Sequence, residues 1–172
     1  FESFTAHMLA TKISKFIDDK SLEASKELAI EYGEPKGMLG TGERNLTRTA
    51  IAPTTSSSFI LGQVSPAIEP LASNYFTKDL AKGKFTYRNP HLKACLHDHG
   101  ENNDETWKSI LVRGGSVQHL EFLSQNEKDV FKTFSEIVPL SIVQQAGARQ
   151  KYIDQSQSLN ILIHPDVSAK DV

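Results

Sequence analysis

Apolar residues recur at spacings of three and four from residue 4 to residue 32, with Leu9, Ile13, Phe16 and Ile17 followed by Ala24, Leu28 and Tyr32. That period predicts one long amphipathic helix, ended by Gly33 and Pro35. Gly37, Gly40 and Gly42 leave residues 34–43 as an exposed connection. Thr47 to Ala52 then reads as a short strand buried on both faces and stopped by Pro53. Past Pro70, the runs Asn74–Leu80 and Lys84–Arg88 flank Ala81-Lys82-Gly83, a hairpin pattern with glycine at the turn. Pro90 suits the first position of a helix, and short helices are expected near 91–96 and 105–112 with a polar loop at 97–104. Ser124 followed by Glu127 has capping-box spacing for another helix. A further helix is predicted over 140–152, a second buried strand over 159–163, a break at His164-Pro165, and the start of a helix at 168–172.

Two strands buried on both faces and separated by more than a hundred residues imply neighbours that the pattern does not supply. Parallel strands are covered on both sides and need partners. The expected class is therefore α/β and helix-rich, with two strands (47–52 and 159–163) belonging to a larger sheet and a hairpin at 74–88.

Size and composition narrow the possibilities. A chain of 172 residues with 38% apolar content can bury a core as one segment, 1–172. Nineteen basic against 21 acidic residues give a net charge of -2, without the clustered basic patch of a nucleic-acid binder. No apolar run reaches the ~20 residues of a membrane span, and the start of the chain lacks signal-peptide order, so a cytoplasmic protein is expected. The single cysteine, Cys95, rules out an internal disulfide.

The densest candidate chemistry follows Pro53. Thr54, Thr55, Ser56, Ser57 and Ser58 place five hydroxyls ahead of Phe59-Ile60-Leu61. Read from the residues, two accounts stay open: a polar turn, or an anion site in which unpaired N–H groups at the start of a helical turn meet a phosphate. The lysine and glycine spacing of a P-loop are absent. Cys95, His97, Asp98 and His99 suggest metal ligands, but no second ligand cluster of suitable spacing exists to complete a tetrahedral site, and no metal is expected. His7, His91, His119 and His164 are isolated, and Gly40-Thr41-Gly42 reads as a flexible loop.

The run Arg44 to Pro70, RNLTRTAIAPTTSSSFILGQVSPAIEP, resembles the catalytic (large) subunit of class I ribonucleotide reductases. Phe131 to Ile137 and Ala146 to Asn160, with Ile153-Asp154-Gln155-Ser156-Gln157-Ser158-Leu159-Asn160, are similar to that family's later signature. The opening helix, Leu22 to Ala29, is also similar, so the resemblance covers nearly the whole chain.

The resemblance implies the C-terminal part of a ten-stranded α/β barrel, close to phage or bacterial forms. It implies that Thr54, Thr55, Ser56 and Ser57 bind the diphosphate of a ribonucleoside diphosphate. Some members carry an acid or alanine at the position of Thr55, so its N–H matters more than its side chain. Asn45, Pro53, Gly62, Pro66, Glu69 and Pro70 match the motif and are expected to shape the turn. Asp154 to Gln157 are expected to form a supporting polar network. The radical cysteine, its Asn and Glu helpers, the redox cysteine pair and the radical-carrying tyrosines of the family have no counterparts here, and Cys95 matches none of these cysteines. A single thiol cannot be both radical site and dithiol. The implied picture is a segment, from a split or intein-interrupted gene or a longer chain, that is inactive by itself. It would work with a complementary large-subunit fragment, the metal-containing small subunit that supplies the radical, and thioredoxin or glutaredoxin as dithiol reductant. It would bind no cofactor directly, and would act in the host cytoplasm if phage-encoded. The competing expectation is a stand-alone nucleotide-binding or interaction module without redox activity.

Overall fold

A computed structural model describes residues 1–54, 57–58, 61, 67–80, 83–163, 166–168 and 170, with residues 78–80 and 84–85 by their backbone alone. The expected helix start at 168–172 and the break at 164–165 fall wholly or largely outside them. Two compact units emerge: one built from Thr54–Val138 with Phe1 and Leu162–Val172, the other from Glu2–Pro53 and Pro139–Ile161.

The discontinuous unit is organised by α1, Phe4–Tyr32. Ser3 caps it by accepting the Ala6 N–H at 3.2 Å, and Gly33, at φ 77°, closes it by donating to the Ala29 carbonyl. Ser25, buried in mid-helix, uses its hydroxyl to accept the N–H groups of Arg44 (3.2 Å) and Asn45 (2.9 Å). The Arg44 guanidinium donates to the Tyr32 and Gly33 carbonyls at 3.0 and 2.7 Å, covering the negative end of the helix. The last helix of this unit, α5 (Pro139–Gln150), packs against α1. Ala29, Ile142, Gln145 and Arg149 are buried there.

The predicted strands of this unit meet over a short length and at a shifted position. Ile51 and Gln157 form a parallel bridge, in which Ile51 donates to the Ser156 carbonyl at 3.2 Å and Ser158 donates to the Ile51 carbonyl at 2.8 Å. Gln155 N–H reaches the Thr49 carbonyl at 3.2 Å. The pairing thus falls within the predicted first strand but ahead of the predicted second one. Residues 159–163 form no strand, and Ile161, Leu162 and Ile163 are exposed. The apolar stripe of α1 is also uncovered, with Leu9, Ile13, Phe16 and Ile17 all at least half exposed.

The other unit holds the hairpin, β1 (Tyr75–Leu80) and β2 (Gly83–Arg88), antiparallel with Tyr75 opposite Arg88. Asn89 ends β2 and caps α2 (Pro90–Asp98), accepting the His91 N–H at 3.0 Å while Pro90 needs no partner for a missing donor. Asn103 likewise caps α3 (Asp104–Val112), whose first turn carries Asp104 and Glu105. Ser124 and Glu127 form the predicted capping box of α4 (Gln125–Val130). Leu92, Leu96, Trp107, Ile110, Val117, Leu120 and Leu123 make one core, against which Tyr75, Cys95 and Phe131 pack. Each such side chain contributes ~2 kcal/mol relative to exposure.

One polar knot fixes the loops around that core. Asn74, buried, donates to the carbonyls of Gly115 (2.9 Å) and Phe131 (2.8 Å) and accepts from Asn89 Nδ2 at 2.8 Å. Gly115 sits at φ 91°, and a Cβ built on it would lie 2.0 Å from Ser73 Oγ and 2.7 Å from Asn74 N. Only glycine fits that approach.

Candidate functional site

Thr54 and Ser57 of the hydroxyl run are described and exposed; Thr55 and Ser56 lie outside the described residues. The Ser58 N–H donates to the Thr54 carbonyl at 2.8 Å and the Leu61 N–H to the Ser57 carbonyl at 3.0 Å. Both are helical i to i−4 bonds, so an α-type turn starts immediately after Pro53. Among the expected turn-shaping residues, Asn45, Pro53, Glu69 and Pro70 are described, and Gly62 and Pro66 lie outside. Asn45 acts through its backbone on Ser25, Pro53 is exposed, and Glu69 is buried.

Asp154 to Gln157 form a supporting polar network. One oxygen of Asp154 accepts the Arg48 N–H at 2.5 Å. The Arg48 guanidinium lies 3.1 Å from Asp18 and 3.6 Å from the other Asp154 oxygen. Gln155 donates to Thr47 Oγ1 at 2.9 Å. Gln157 donates to the Ala146 carbonyl at 2.8 Å and accepts from Arg149 Nε at 3.2 Å. Every one of these contacts orients backbone or another protein side chain, as expected of residues that hold a wall. Beside them, an open cleft of about 290 Å³ is walled by Ile17, Arg48, Ile51, Tyr152 and Ile153.

A third cluster escaped the sequence reading in part. Cys95 and His99 lie one helical turn apart, with the His99 N–H on the Cys95 carbonyl at 3.2 Å. His97 and Asp98 point into solvent. Glu127 arrives from α4, its Oε1 at 2.8 Å from His99 Nε2 and 3.5 Å from Cys95 Sγ. Bonds from the Ser124 hydroxyl, then from His99, hold the Glu127 carboxyl down at about 2. Burial, then the Glu127 carboxylate, pushes the Cys95 thiol up to about 11. Glu127 is not legible as a neighbour of these two residues because it lies 28 residues beyond His99 and announces itself only as a helix cap.

One unit pairs two extended segments in parallel beside a polar network, and the other opens on an α-type turn and carries the hairpin. The family described as "Ribonucleotide reductase, barrel domain" matches residues 36–172, and this chain belongs to it. The large subunit of ribonucleoside-diphosphate reductase from Invertebrate iridescent virus 3 is 42% identical over 168 residues, covering 96% of this chain and 27% of that protein. The Danio rerio large subunit is 35% identical, covering 95% of this chain and 24% of its own length. Among solved structures, the Actinobacillus ureae class Id ribonucleotide reductase alpha subunit superposes with a TM-score of 0.90 at 52% identity, over 99% of this chain and 31% of that one. The chain thus spans about a quarter of the length of these curated relatives. No helix among the described residues is long and apolar enough to cross a membrane.

Proposed function

We propose that this chain is a working part of a ribonucleoside-diphosphate reductase large subunit and supplies the loop that holds the substrate diphosphate. The observation that carries the reading is the 52% identity and 0.90 TM-score to a class Id alpha subunit over almost the whole chain. The phosphate assignment to Thr54, Thr55, Ser56 and Ser57 is supported by the exposed hydroxyls of Thr54 and Ser57 and by the helical turn that opens there. N–H groups at such a start favour an anion without a paired lysine.

The chain has one thiol, and that thiol is hydrogen-bonded to Glu127. Reduction of a ribose by a radical cysteine and a dithiol therefore requires thiols contributed by a complementary part of the large subunit. The radical would come from the small subunit and the electrons from thioredoxin or glutaredoxin. The exposed apolar stripe of α1 and the exposed run 161–163 suit surfaces that such a complement covers.

The test is reconstitution. The chain is assayed alone, and then with the complementary large-subunit part, the small subunit, a ribonucleoside diphosphate and a dithiol reductant. Deoxyribonucleotide should form only in the mixture; turnover by the chain alone would overturn the reading.

A further inference from the structure

We propose that Cys95, His99 and Glu127 form a divalent-cation site whose donor set fits zinc. Their ligand atoms all lie within 4.8 Å of one another. Zinc bonds of ~2.0–2.3 Å at tetrahedral angles require ligand-to-ligand edges of about 3.4–3.6 Å. The sulfur-to-carboxylate distance, 3.5 Å, already has that value. The imidazole-to-carboxylate distance, 2.8 Å, must open by about half an ångström, which a small side-chain rotation supplies.

The three ligands are held in place by groups that do not touch the ion. Cys95 and His99 are fixed on one face of the end of α2 by the helix itself. Glu127 is oriented by Ser124, whose N–H and hydroxyl donate to Oε2 at 2.8 and 2.6 Å and leave Oε1 aimed at the other two ligands. The His99 ring rests against Phe122, with ring centroids 5.7 Å apart. Such outer partners set ligand orientation in metal sites. The carbonyl end of α2 also lies at the cluster, and the negative end of a helix favours a cation.

The chemistry of the donors selects the ion. One thiolate disfavours magnesium and calcium, which take oxygen ligands, while one imidazole and one carboxylate suit borderline zinc better than copper(I). The side chains of His99 and Glu127 remain about one-third exposed, at 31% and 30%, leaving an entry path and room for water as a fourth ligand. On binding, the ion displaces the Cys95 S–H proton to solvent and is held by Nε2 of the neutral His99 ring, whose single proton then sits on Nδ1. The result is a tie between the end of α2 and the start of α4.

The test uses the full chain, whose only thiol is Cys95. Zinc is titrated against a chromophoric chelator, and cobalt(II) is titrated alone while thiolate-to-cobalt charge-transfer absorption is recorded. One ion per chain with that absorption is expected. Cys95→Ser and Glu127→Gln should weaken zinc by about 100-fold or more, the upper range for losing even an outer partner of a ligand. His97→Gln, outside the cluster, should bind as the wild type does. Zinc bound equally by wild type and Cys95→Ser, or wild-type cobalt lacking the thiolate absorption, overturns the proposal. The wild-type cobalt spectrum decides the matter even if a variant fails to fold.

Discussion

Asp154 accepts the backbone N–H of Arg48 at 2.5 Å and faces the same residue's guanidinium with its second oxygen at 3.6 Å. One carboxylate therefore fixes both the main chain and the side chain of a residue more than a hundred positions earlier, next to the only parallel pairing among the described residues. Asp154→Ala should cost about 1.5–3 kcal/mol, the range for a lost charge-assisted bond that leaves a partner unmet. Asp154→Asn should cost less, because its amide oxygen can still accept the Arg48 N–H. Urea unfolding midpoints of the two variants check this, and equal loss in both would refute the acceptor role and leave the charge as the whole effect.

Gly115 and Gly114 allow a steric effect to be separated from a conformational one. Both have positive φ, at 91° and 66°, so alanine strains either backbone by about 1–2 kcal/mol. Only at Gly115 would the new Cβ strike Ser73 and Asn74. Gly115→Ala should therefore cost about 3 kcal/mol or more in total, and Gly114→Ala clearly less. Thermal melts of the pair give the difference directly.

His119 should make stability depend on pH. Ser109 Oγ donates to the Thr106 carbonyl at 2.8 Å, so at 2.9 Å His119 Nε2 is the donor to that hydroxyl, and Nδ1 is buried without a partner. Burial, then the charges of Arg113 and Lys128, pushes the imidazole below its ordinary 6.5. The unfolded chain then takes up the proton first as pH falls. The contribution is fully present above pH 6.5 and is lost as pH drops through 6.5 toward the folded value. His119→Gln should flatten that part of the stability-versus-pH curve measured by urea unfolding between about pH 7 and 5; an unchanged slope would refute the assignment.

Replacing Ser56 and Ser57 by alanine should raise KM for the diphosphate substrate in the reconstituted enzyme while leaving the melting temperature within about 2 °C. Two hydroxyl contacts to phosphate, at ~1 kcal/mol each, correspond to a rise of about 30-fold. Unchanged KM would remove the phosphate role from these side chains.

Local signals in the sequence were decisive where the structure is local. The 29-residue helix, the hairpin register around Gly83 and the Ser124–Glu127 box are each specified by residues within a few positions of one another. The second pairing falls just ahead of its apolar run, because such a run reports what a segment buries, not where its backbone pairs. Leu159 to Ile163 carry the hydrophobic pattern, yet the polar Gln155 to Ser158 make the bonds to Thr49 and Ile51. The same limit hid Glu127: helical spacing reveals that Cys95 and His99 share a face, but nothing in that spacing points 28 residues ahead.

The bridge between Ile51 and Gln157 also sets an order of events during synthesis. Every residue of the Leu92–Leu123 core is available once the hairpin and three short helices have left the ribosome. The unit holding α1 cannot close until residues 139–158 follow, because its two halves are separated by that core in the sequence. Low sequence separation favours early folding and distant pairing delays it. The hairpin unit should thus be structured while α1 still waits for a packing partner synthesised a hundred residues afterwards.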